Sequence, residues 1–266
     1  MKVSIIIPVY NSEKILNKLV DQITNELKKI ESINDYEVIL VNDKSKDGSW
    51  SIIENICNKN LNIIGIDLMK NVGQHNALIA GIKISNSDFV ITMDDDLQHH
   101  PKFIGNLIFK LNEGYDVCYT KYLNNRYTIM KRLGSIINDK VANIVLQKPK
   151  NIYLSSFKGI KRNVVNEIKK FSGPYVYLDG IILDLTYNIT TIDIEHSERL
   201  DGKSNYNLKK LFSLWIKVFT NSSIYPLRIA SISGFIITLL GSFMAIILIV
   251  NKILNPEIQQ GWTSIV

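Results

Sequence analysis

The sequence predicts an α/β fold, a mostly parallel sheet flanked by helices, followed by a C-terminal transmembrane helix. Three observations lead to this prediction. Short apolar runs alternate with amphipathic segments over the first 96 of the 266 residues, as is typical of a parallel sheet covered on both faces. Polar or acidic residues directly follow several of these runs. Residues 229–250 carry no charge and are long enough to cross a bilayer as a helix.

The individual elements follow from hydrophobic periodicity along the chain. An apolar run over 3–10 predicts the first strand, and further strands are predicted over 37–41, 62–67 and from Phe89 to Asp94. Apolar residues at helical spacing predict helices over about 13–30, 48–58 and 74–84. Helical spacing returns over 128–146, and a mixed strand and loop region is predicted to continue to about Arg199.

Composition and charge restrict the functional classes. A hydrophobic content of 46% is ample for a core. The net charge of +6 suits a protein at an anionic membrane surface. Nucleic-acid binding is not expected, because no basic run with interleaved aromatic residues is present. Cys57 and Cys118 are far apart and lack metal-ligand spacing, which predicts reduced thiols.

The C-terminal part of the chain predicts a membrane protein. Basic residues precede the apolar run at four positions and follow it closely at one, so the positive-inside rule places an N-terminal domain, 1–206, in the cytoplasm at the cell membrane. Residues 207–225 predict an amphipathic helix, which either lies along the bilayer interface or packs against the soluble domain. Residues 251–266 predict a loop and the start of a second apolar segment.

Three aspartates, Asp94, Asp95 and Asp96, end the fourth predicted strand. Because strand side chains alternate between faces, we expect Asp94 and Asp96 to point one way and Asp95 the other. With Gln98 they offer oxygen ligands, which suit Mg²⁺ or Mn²⁺. The alternative for an isolated acidic pair is an acidic loop tip or a helix cap before Pro101.

Other polar residues end two more of the predicted parallel strands. Tyr10 and Asn11 follow the first strand, and Asp43 follows the second. In open α/β sheets ligands bind outside the carboxyl ends of the strands. These residues and the aspartates are therefore predicted to share one binding site.

Four segments occur in the order found in one enzyme family. They are Pro8-Val-Tyr10-Asn11, the turn over 41–49, Asn71-Val-Gly73 and Asp94-Asp95-Asp96-Leu-Gln98. Together they resemble the GT-A family 2 glycosyltransferases, and most closely the polyprenyl-phosphate branch, which includes dolichyl-phosphate mannose synthases and bacterial undecaprenyl-phosphate sugar transferases. Residues 199–206, Arg-Leu-Asp-Gly-Lys-Ser-Asn-Tyr, match the pattern of this branch. The resemblance implies the GT-A nucleotide-diphospho-sugar transferase fold.

The resemblance also implies roles for the residues at the sheet edge. Asp94, Asp96 and Gln98 would bind Mg²⁺ or Mn²⁺, and Asp94, Asp96 and Arg199 would be catalytic. Two aspartates facing a diphosphate directly would be repelled by about 4 kcal/mol per charge pair at about 4 Å, so a divalent cation is expected between them. The nucleotide-sugar would be bound by Pro8, Tyr10, Asn11, Asp43, Asn71, Asp94 and Asp95.

The implied acceptor is a polyprenyl phosphate held in the membrane. A phosphate monoester is largely ionised at neutral pH and needs little help from a base, but it needs cationic partners. The residues assigned to the acceptor phosphate are Arg126, Arg132, Arg199, Lys203 and Ser204. Ser155-Ser156-Phe157 stands where many relatives carry an Asp-Phe segment near the sugar, which leaves the donor sugar open.

The function predicted is a metal-dependent, inverting transfer of one sugar from a nucleotide-sugar, with a UDP-sugar favoured, to undecaprenyl phosphate at the cytoplasmic membrane face. One alternative is a polysaccharide-extending synthase of the same family. Such synthases carry a Gln-x-x-Arg-Trp motif, which does not occur here, since Leu214 precedes Trp215. The other is a catalytically idle nucleotide-binding membrane scaffold. The sequence leaves open whether the chain forms a homo-oligomer.

Overall fold

The computed structural model describes residues 1–122, 152–173, 176–195 and 225–254. The chain divides into two units, Met1–Leu208 and Lys209–Val266. The described residues of the first unit form seven strands in one sheet: β1 (Lys2–Val9), β2 (Asp35–Asn42), β3 (Ile63–Asp67), β4 (Phe89–Thr92), β5 (Val117–Tyr122), β6 (Lys158–Lys161) and β7 (Ile189–Ile194).

The sheet has the strand order β3-β2-β1-β4-β6-β5-β7. Among these strands β6 alone is antiparallel to its neighbours, β4 and β5. The other pairs are parallel. The predicted mostly parallel sheet is therefore confirmed. Because β6 runs in the opposite direction, its amino end lies at the same edge as the carboxyl ends of the other strands.

Helices cover both faces of this sheet. They are α1 (Leu16–Lys29), α2 (Ser49–Lys59), α3 (Gln74–Ile84), α4 (Ile104–Asn112), α5 (Arg162–Lys170) and α6 (Leu178–Leu185), with a short 3₁₀ turn at Pro101–Phe103. Side chains of α1, α2 and α4 join one buried cluster with Ile5 and Ile7 of β1. Those of α3, α5 and α6 join a second cluster with Ile6. The continuous apolar run of β1 is explained by this burial on both faces.

Helix α3 lies very close to the central strand. A Cβ atom on Gly81 would come within 2.5 Å of the Cγ2 atom of Ile6 and within 3.2 Å of that of Val41. Only glycine therefore permits this approach without a shift of the packing. The contact holds the later part of α3 closely against β1 and β2.

Strand β4 ends two residues earlier than predicted. Its last residue is Thr92, and the aspartates lie in the turn that follows. Leu97 in this turn has a φ of 61°, and the backbone N–H of Asp94 donates to the Nδ1 atom of His99 over 3.3 Å. A strand pattern therefore does not decide where Asp94, Asp95 and Asp96 point. Their orientation depends on the partners that each side chain finds.

The second unit contains the helix α7 (Tyr225–Leu254). Its segment Ala230–Leu254 is long and apolar enough to span a membrane, and it is the one such helix in the described part of the chain. The predicted span 229–250 lies within α7, but residues 251–254, predicted as loop, continue the helix. Asn251–Leu254 contains no helix breaker, and Pro256 lies just beyond. The predicted interfacial helix, 207–225, lies outside the described residues except for Tyr225, which begins α7, and residues 255–266 lie outside them as well.

Candidate active site

The polar residues singled out at the strand ends meet at one edge of the sheet. This edge carries the residues that follow β1, β2 and β4, together with Ser155 and Ser156, which precede β6. The first residues of α3 lie there as well, since Gln74 Nε2 reaches Asp94. This arrangement agrees with the prediction that one edge of the sheet carries Tyr10, Asn11, Asp43 and the aspartates.

Asp94 is held by two neutral hydrogen-bond donors from distant parts of the chain. The Nε2 atom of Gln74 donates to Oδ1 over 2.5 Å, and the Oγ atom of Ser156 donates to Oδ2 over 2.5 Å. The carbonyl of Ser156 in turn accepts a bond from the hydroxyl of Thr92 at the end of β4 over 2.6 Å. The orientation of the Asp94 carboxylate is therefore set by α3 on one side and the segment before β6 on the other.

Asp95 points to other partners and organises the end of β1. Its Oδ2 atom accepts a hydrogen bond from the backbone N–H of Tyr10 over 3.1 Å and another from the hydroxyl of Ser12. Burial, together with the charges of Asp94 and Asp96, raises the pKa of Asp95 to about 6, although its two hydrogen bonds act in the opposite direction. In this structure Asp95 links the loop after β1 to the turn after β4.

The donor set at this turn fits a hard divalent cation. Asp94 retains lone pairs beyond the two that its hydrogen bonds use. Asp96 accepts a bond from the backbone N–H of Gln98 over 3.1 Å, and Gln98 carries an amide oxygen. Among the described residues no three His, Cys, Asp or Glu side chains form a metal-binding group by themselves. Water and a substrate phosphate would complete the coordination, as is usual for Mg²⁺.

His99 lies close to these aspartates but is packed as a structural residue. Its ring stacks on Tyr122 with the centroids 6.1 Å apart and lies against Phe157 at 5.2 Å. Its Nδ1 atom accepts the bond from the backbone of Asp94. His99 therefore supports the turn beneath the carboxylates.

Asp43 anchors the loop that leads into α3. It is buried, and its two carboxylate oxygens accept bonds from the backbone N–H groups of Val72 over 2.7 Å and Gly73 over 2.9 Å. The side chain of Asn71 donates to the carbonyl of Asp43 over 2.9 Å. Gly73 has a φ of 86°, which favours glycine. Contact of Asp43 and Asn71 with a nucleotide stays a prediction, but both residues shape the loop beside that position.

The residues after β1 are bonded to the loop that follows β2. Asn11, with a φ of 55°, donates from its backbone to the hydroxyl of Ser45 over 3.0 Å and accepts from the backbone of Lys46 over 2.8 Å. Tyr10 leaves 42% of its surface exposed. Pro8 is buried in β1 opposite Val41, so it acts on this edge through packing.

A buried ion pair beneath this edge was not predicted from the sequence. Lys158 of β6 is only 1% exposed, and its ammonium pairs with Oδ1 of Asp179 on α6. The hydroxyl of Tyr119 on β5 donates to the same oxygen over 2.9 Å. The pair therefore ties α6 to the middle of the sheet.

Sequence reasoning also missed the residues that orient the aspartates, namely Gln74, Ser156 and Ser12. Gln74 directly follows the Asn71-Val-Gly73 motif, so its position was a usable signal. Ser156 was noted as a departure near the sugar, without a link to Asp94. The residues predicted to bind the acceptor phosphate, Arg126, Arg132, Arg199, Lys203 and Ser204, lie outside the described residues.

Comparison with known proteins agrees with this arrangement. A family model described as glycosyl transferase family 2 matches residues 4–169. The chain belongs to this family. It is therefore a family 2 glycosyltransferase, and the predicted enzyme class is confirmed.

Two relatives that are similar to this glycosyltransferase in sequence carry the same name. The undecaprenyl-phosphate 4-deoxy-4-formamido-L-arabinose transferase of Proteus mirabilis is 32% identical over 256 residues, which cover 95% of this chain and 77% of the relative. The protein of the same name from Yersinia pestis is 32% identical and covers 98% of this chain and 80% of its own length. The predicted resemblance to the polyprenyl-phosphate branch is thereby confirmed.

Solved structures similar to this glycosyltransferase share its fold. Glucosyl-3-phosphoglycerate synthase from Mycobacterium tuberculosis, in complex with Mn²⁺, UDP-glucose and phosphoglyceric acid, matches with a TM-score of 0.57 at 16% identity over 83% of this chain and 79% of that one. Its complex with phosphoglyceric acid matches with a TM-score of 0.59 at 16% identity over 82% and 79%. The fold is GT-A, as the sequence resemblance implied.

Proposed function

We propose that this glycosyltransferase transfers a single sugar from a nucleotide-sugar to a polyprenyl phosphate, with undecaprenyl phosphate as the acceptor, at the cytoplasmic face of the cell membrane. The observation that carries the proposal is the meeting of Asp94, Asp96 and Asp43 at one sheet edge in a chain that also has the apolar helix α7. Relatives named for transfer to undecaprenyl phosphate support the acceptor.

The donor would be held at the carboxyl ends of β1, β2 and β4. The loop that Asp43 anchors and the exposed ring of Tyr10 border the nucleoside position. Asp94, Asp96 and Gln98 would hold Mg²⁺ or Mn²⁺ against the diphosphate. When bound, such a cation neutralises the diphosphate and stabilises the charge of the departing nucleotide. Glucosyl-3-phosphoglycerate synthase, which shares the fold, was solved in complex with Mn²⁺ and UDP-glucose. This complex supports the proposed cation and a UDP-sugar as the donor.

The acceptor phosphate would attack the anomeric carbon directly. The bond between this carbon and the nucleotide phosphate breaks as the bond to the lipid phosphate oxygen forms, and the leaving diphosphate takes the electron pair. One such displacement inverts the anomeric configuration. Arg126, Arg132, Arg199, Lys203 and Ser204 are proposed to bind the lipid phosphate, because an anionic nucleophile needs cations and hydrogen-bond donors.

Helix α7 would keep the enzyme next to its lipid acceptor. The acceptor cannot leave the bilayer, so the enzyme must stay at its surface. Helix α7 carries apolar side chains along its length, of which Phe235, Leu240 and Ile253 are examples of exposed ones. We propose that this helix spans the inner membrane.

The test is an assay of the full-length protein with undecaprenyl phosphate and a panel of radiolabelled UDP- and GDP-sugars. The expected result is a labelled lipid that forms with one donor, is lost in EDTA and returns with Mg²⁺ or Mn²⁺. A growing water-soluble polymer in place of a single-sugar lipid would contradict the proposal. The absence of any transfer by protein that binds nucleotide would also contradict it.

A further inference from the structure

His75, the second residue of α3, carries a polar atom that the fold leaves without a partner. Its Nδ1 atom is enclosed and makes no hydrogen bond, and it is the one buried side-chain nitrogen or oxygen of the described residues in this condition. An enclosed polar atom without a partner costs stability. Such atoms are rare in native proteins, and each calls for an explanation.

The position of His75 relates this atom to the candidate active site. Gln74, its neighbour in sequence, donates to Asp94. The ring of His75 meets the ring of Tyr177 edge-on, with the centroids 5.0 Å apart. The charges of Asp94, Asp179 and Lys158 all act on the imidazole. His75 therefore directly follows the residue that orients Asp94, and its imidazole is near enough to Asp94, Asp179 and Lys158 for their charges to act on it.

The Tyr177 ring that contacts His75 belongs to a segment joined to the sheet by buried polar contacts. Tyr177 directly precedes α6, and Asp179 in the first turn of α6 is bound by Lys158 and Tyr119. These bonds fix the start of α6, and with it Tyr177, against the sheet. A group that enters beside His75 therefore meets a preorganised surface.

Burial favours the neutral form of the His75 imidazole. Burial lowers its pKa below the ordinary value, and the charge of Lys158 lowers it further, while the charges of Asp179 and Asp94 oppose this shift. A neutral ring has no electrostatic preference for a phosphate. It suits an uncharged hydroxyl or amide, with which it exchanges one hydrogen bond.

We infer that Nδ1 of His75 hydrogen-bonds an uncharged polar substituent of the transferred sugar, and that His75 thereby contributes to the choice of donor. This inference rests on the proposed function, since it requires a sugar joined to the diphosphate at Asp94. The sugar is the part of the donor next to the cation, and it carries substituents of this chemistry. Bound donor then supplies the partner that the free protein lacks.

Two substitutions separate this role from a structural one. His75→Phe keeps a planar ring and removes the polar atom, whereas His75→Asn places an amide close to the position of Nδ1. Lys83→Ala, exposed in the last turn of α3, is the matched control. The measurements are kcat/KM for the intact donor and for deoxy analogues that lack one substituent each, together with the unfolding temperature of the full-length protein.

We expect His75→Phe to have lower activity than the wild type but equal or higher stability. His75→Phe should lower kcat/KM for the intact donor by about tenfold, the size of one hydrogen bond, and should leave kcat/KM unchanged for the one analogue that lacks the bonded group. Its unfolding temperature should stay the same or rise, because the unpaired buried atom is gone. His75→Asn should recover most of the activity toward the intact donor.

Two outcomes would overturn the inference. Equal losses of kcat/KM for every analogue would show that His75 does not contact a substituent, and a lowered unfolding temperature in His75→Phe would show a structural role. If the wild-type enzyme transfers sugar and His75→Phe keeps its full discrimination, the inference fails and the proposed function stands. If the wild-type enzyme transfers no sugar, the proposed function fails and the inference fails with it.

Discussion

The hydroxyl of Ser156 donates a hydrogen bond to Oδ2 of Asp94 over 2.5 Å, although 62 positions separate the two residues. Gln74 donates to the other oxygen of the same carboxylate. Neither donor carries a charge, so the negative charge of Asp94 is not neutralised by them. The arrangement orients the carboxylate and leaves its charge for a cation, which is how neighbouring groups support metal ligands in general.

Removal of these donors should weaken metal binding. Gln74→Leu and Ser156→Ala should each lower the affinity for Mn²⁺ by about tenfold or more, because loss of such supporting bonds typically costs a factor of 10 to 100. Titration of Mn²⁺ by electron paramagnetic resonance measures this directly. Ser51→Ala, exposed on α2, is the matched control. Unchanged Mn²⁺ affinity in both variants would mean that the two bonds do not serve the cation.

Asp96→Ala should abolish transfer while the protein stays folded. The substitution removes a proposed oxygen ligand of the cation from a turn at the edge of the sheet and no volume from the core, so the unfolding temperature should change little. Sugar transfer to lipid phosphate and circular dichroism measure the two properties. Asp21→Ala, exposed on α1, should leave both unchanged. Wild-type turnover by Asp96→Ala in Mg²⁺ would refute the metal assignment.

Asp43→Asn should weaken nucleotide binding through the loop before α3. An amide offers one oxygen for the two backbone N–H groups of Val72 and Gly73 and turns its own N–H₂ toward the other. A hydrogen bond to a charged group contributes about 1.5–3 kcal/mol, so UDP affinity should fall by about tenfold or more. Isothermal titration with UDP measures the change. Asp21→Asn, exposed on α1, is the control. Equal UDP affinity for Asp43→Asn and the wild type would contradict a role for this loop in binding.

Lys158→Met should destabilise the fold strongly. Loss of one partner of a buried ion pair leaves an uncompensated charge, here that of Asp179, and typically costs about 3–5 kcal/mol. The double variant Lys158→Met, Asp179→Asn should regain part of this loss, because asparagine is uncharged and still accepts the bond from Tyr119. Urea unfolding of the three proteins measures the differences. A double variant no more stable than Lys158→Met would argue against the buried charge as the cause.

Much of the fold was predictable from the sequence because its signals are local. The apolar runs of β1 and β2 and the amphipathic patterns of α1 to α3 agree with the structure within a few residues. Burial of β1 on both faces requires such a run, whatever packs against it. Asp43 and the aspartates after β4 follow apolar runs directly, so their common edge could be inferred from parallel topology alone.

The acidic cluster after an apolar run, the strand-end asparagine and tyrosine, and the apolar span were determined by the sequence itself, since each depends on residues adjacent along the chain. Only the tertiary structure decided that the antiparallel β6 lies between β4 and β5, which brings Ser156 to Asp94 and Lys158 to Asp179. Hydrophobic periodicity reports which face of a strand is buried but carries no information on which strand is its neighbour. Contacts between residues far apart in the chain therefore had to come from the packed sheet.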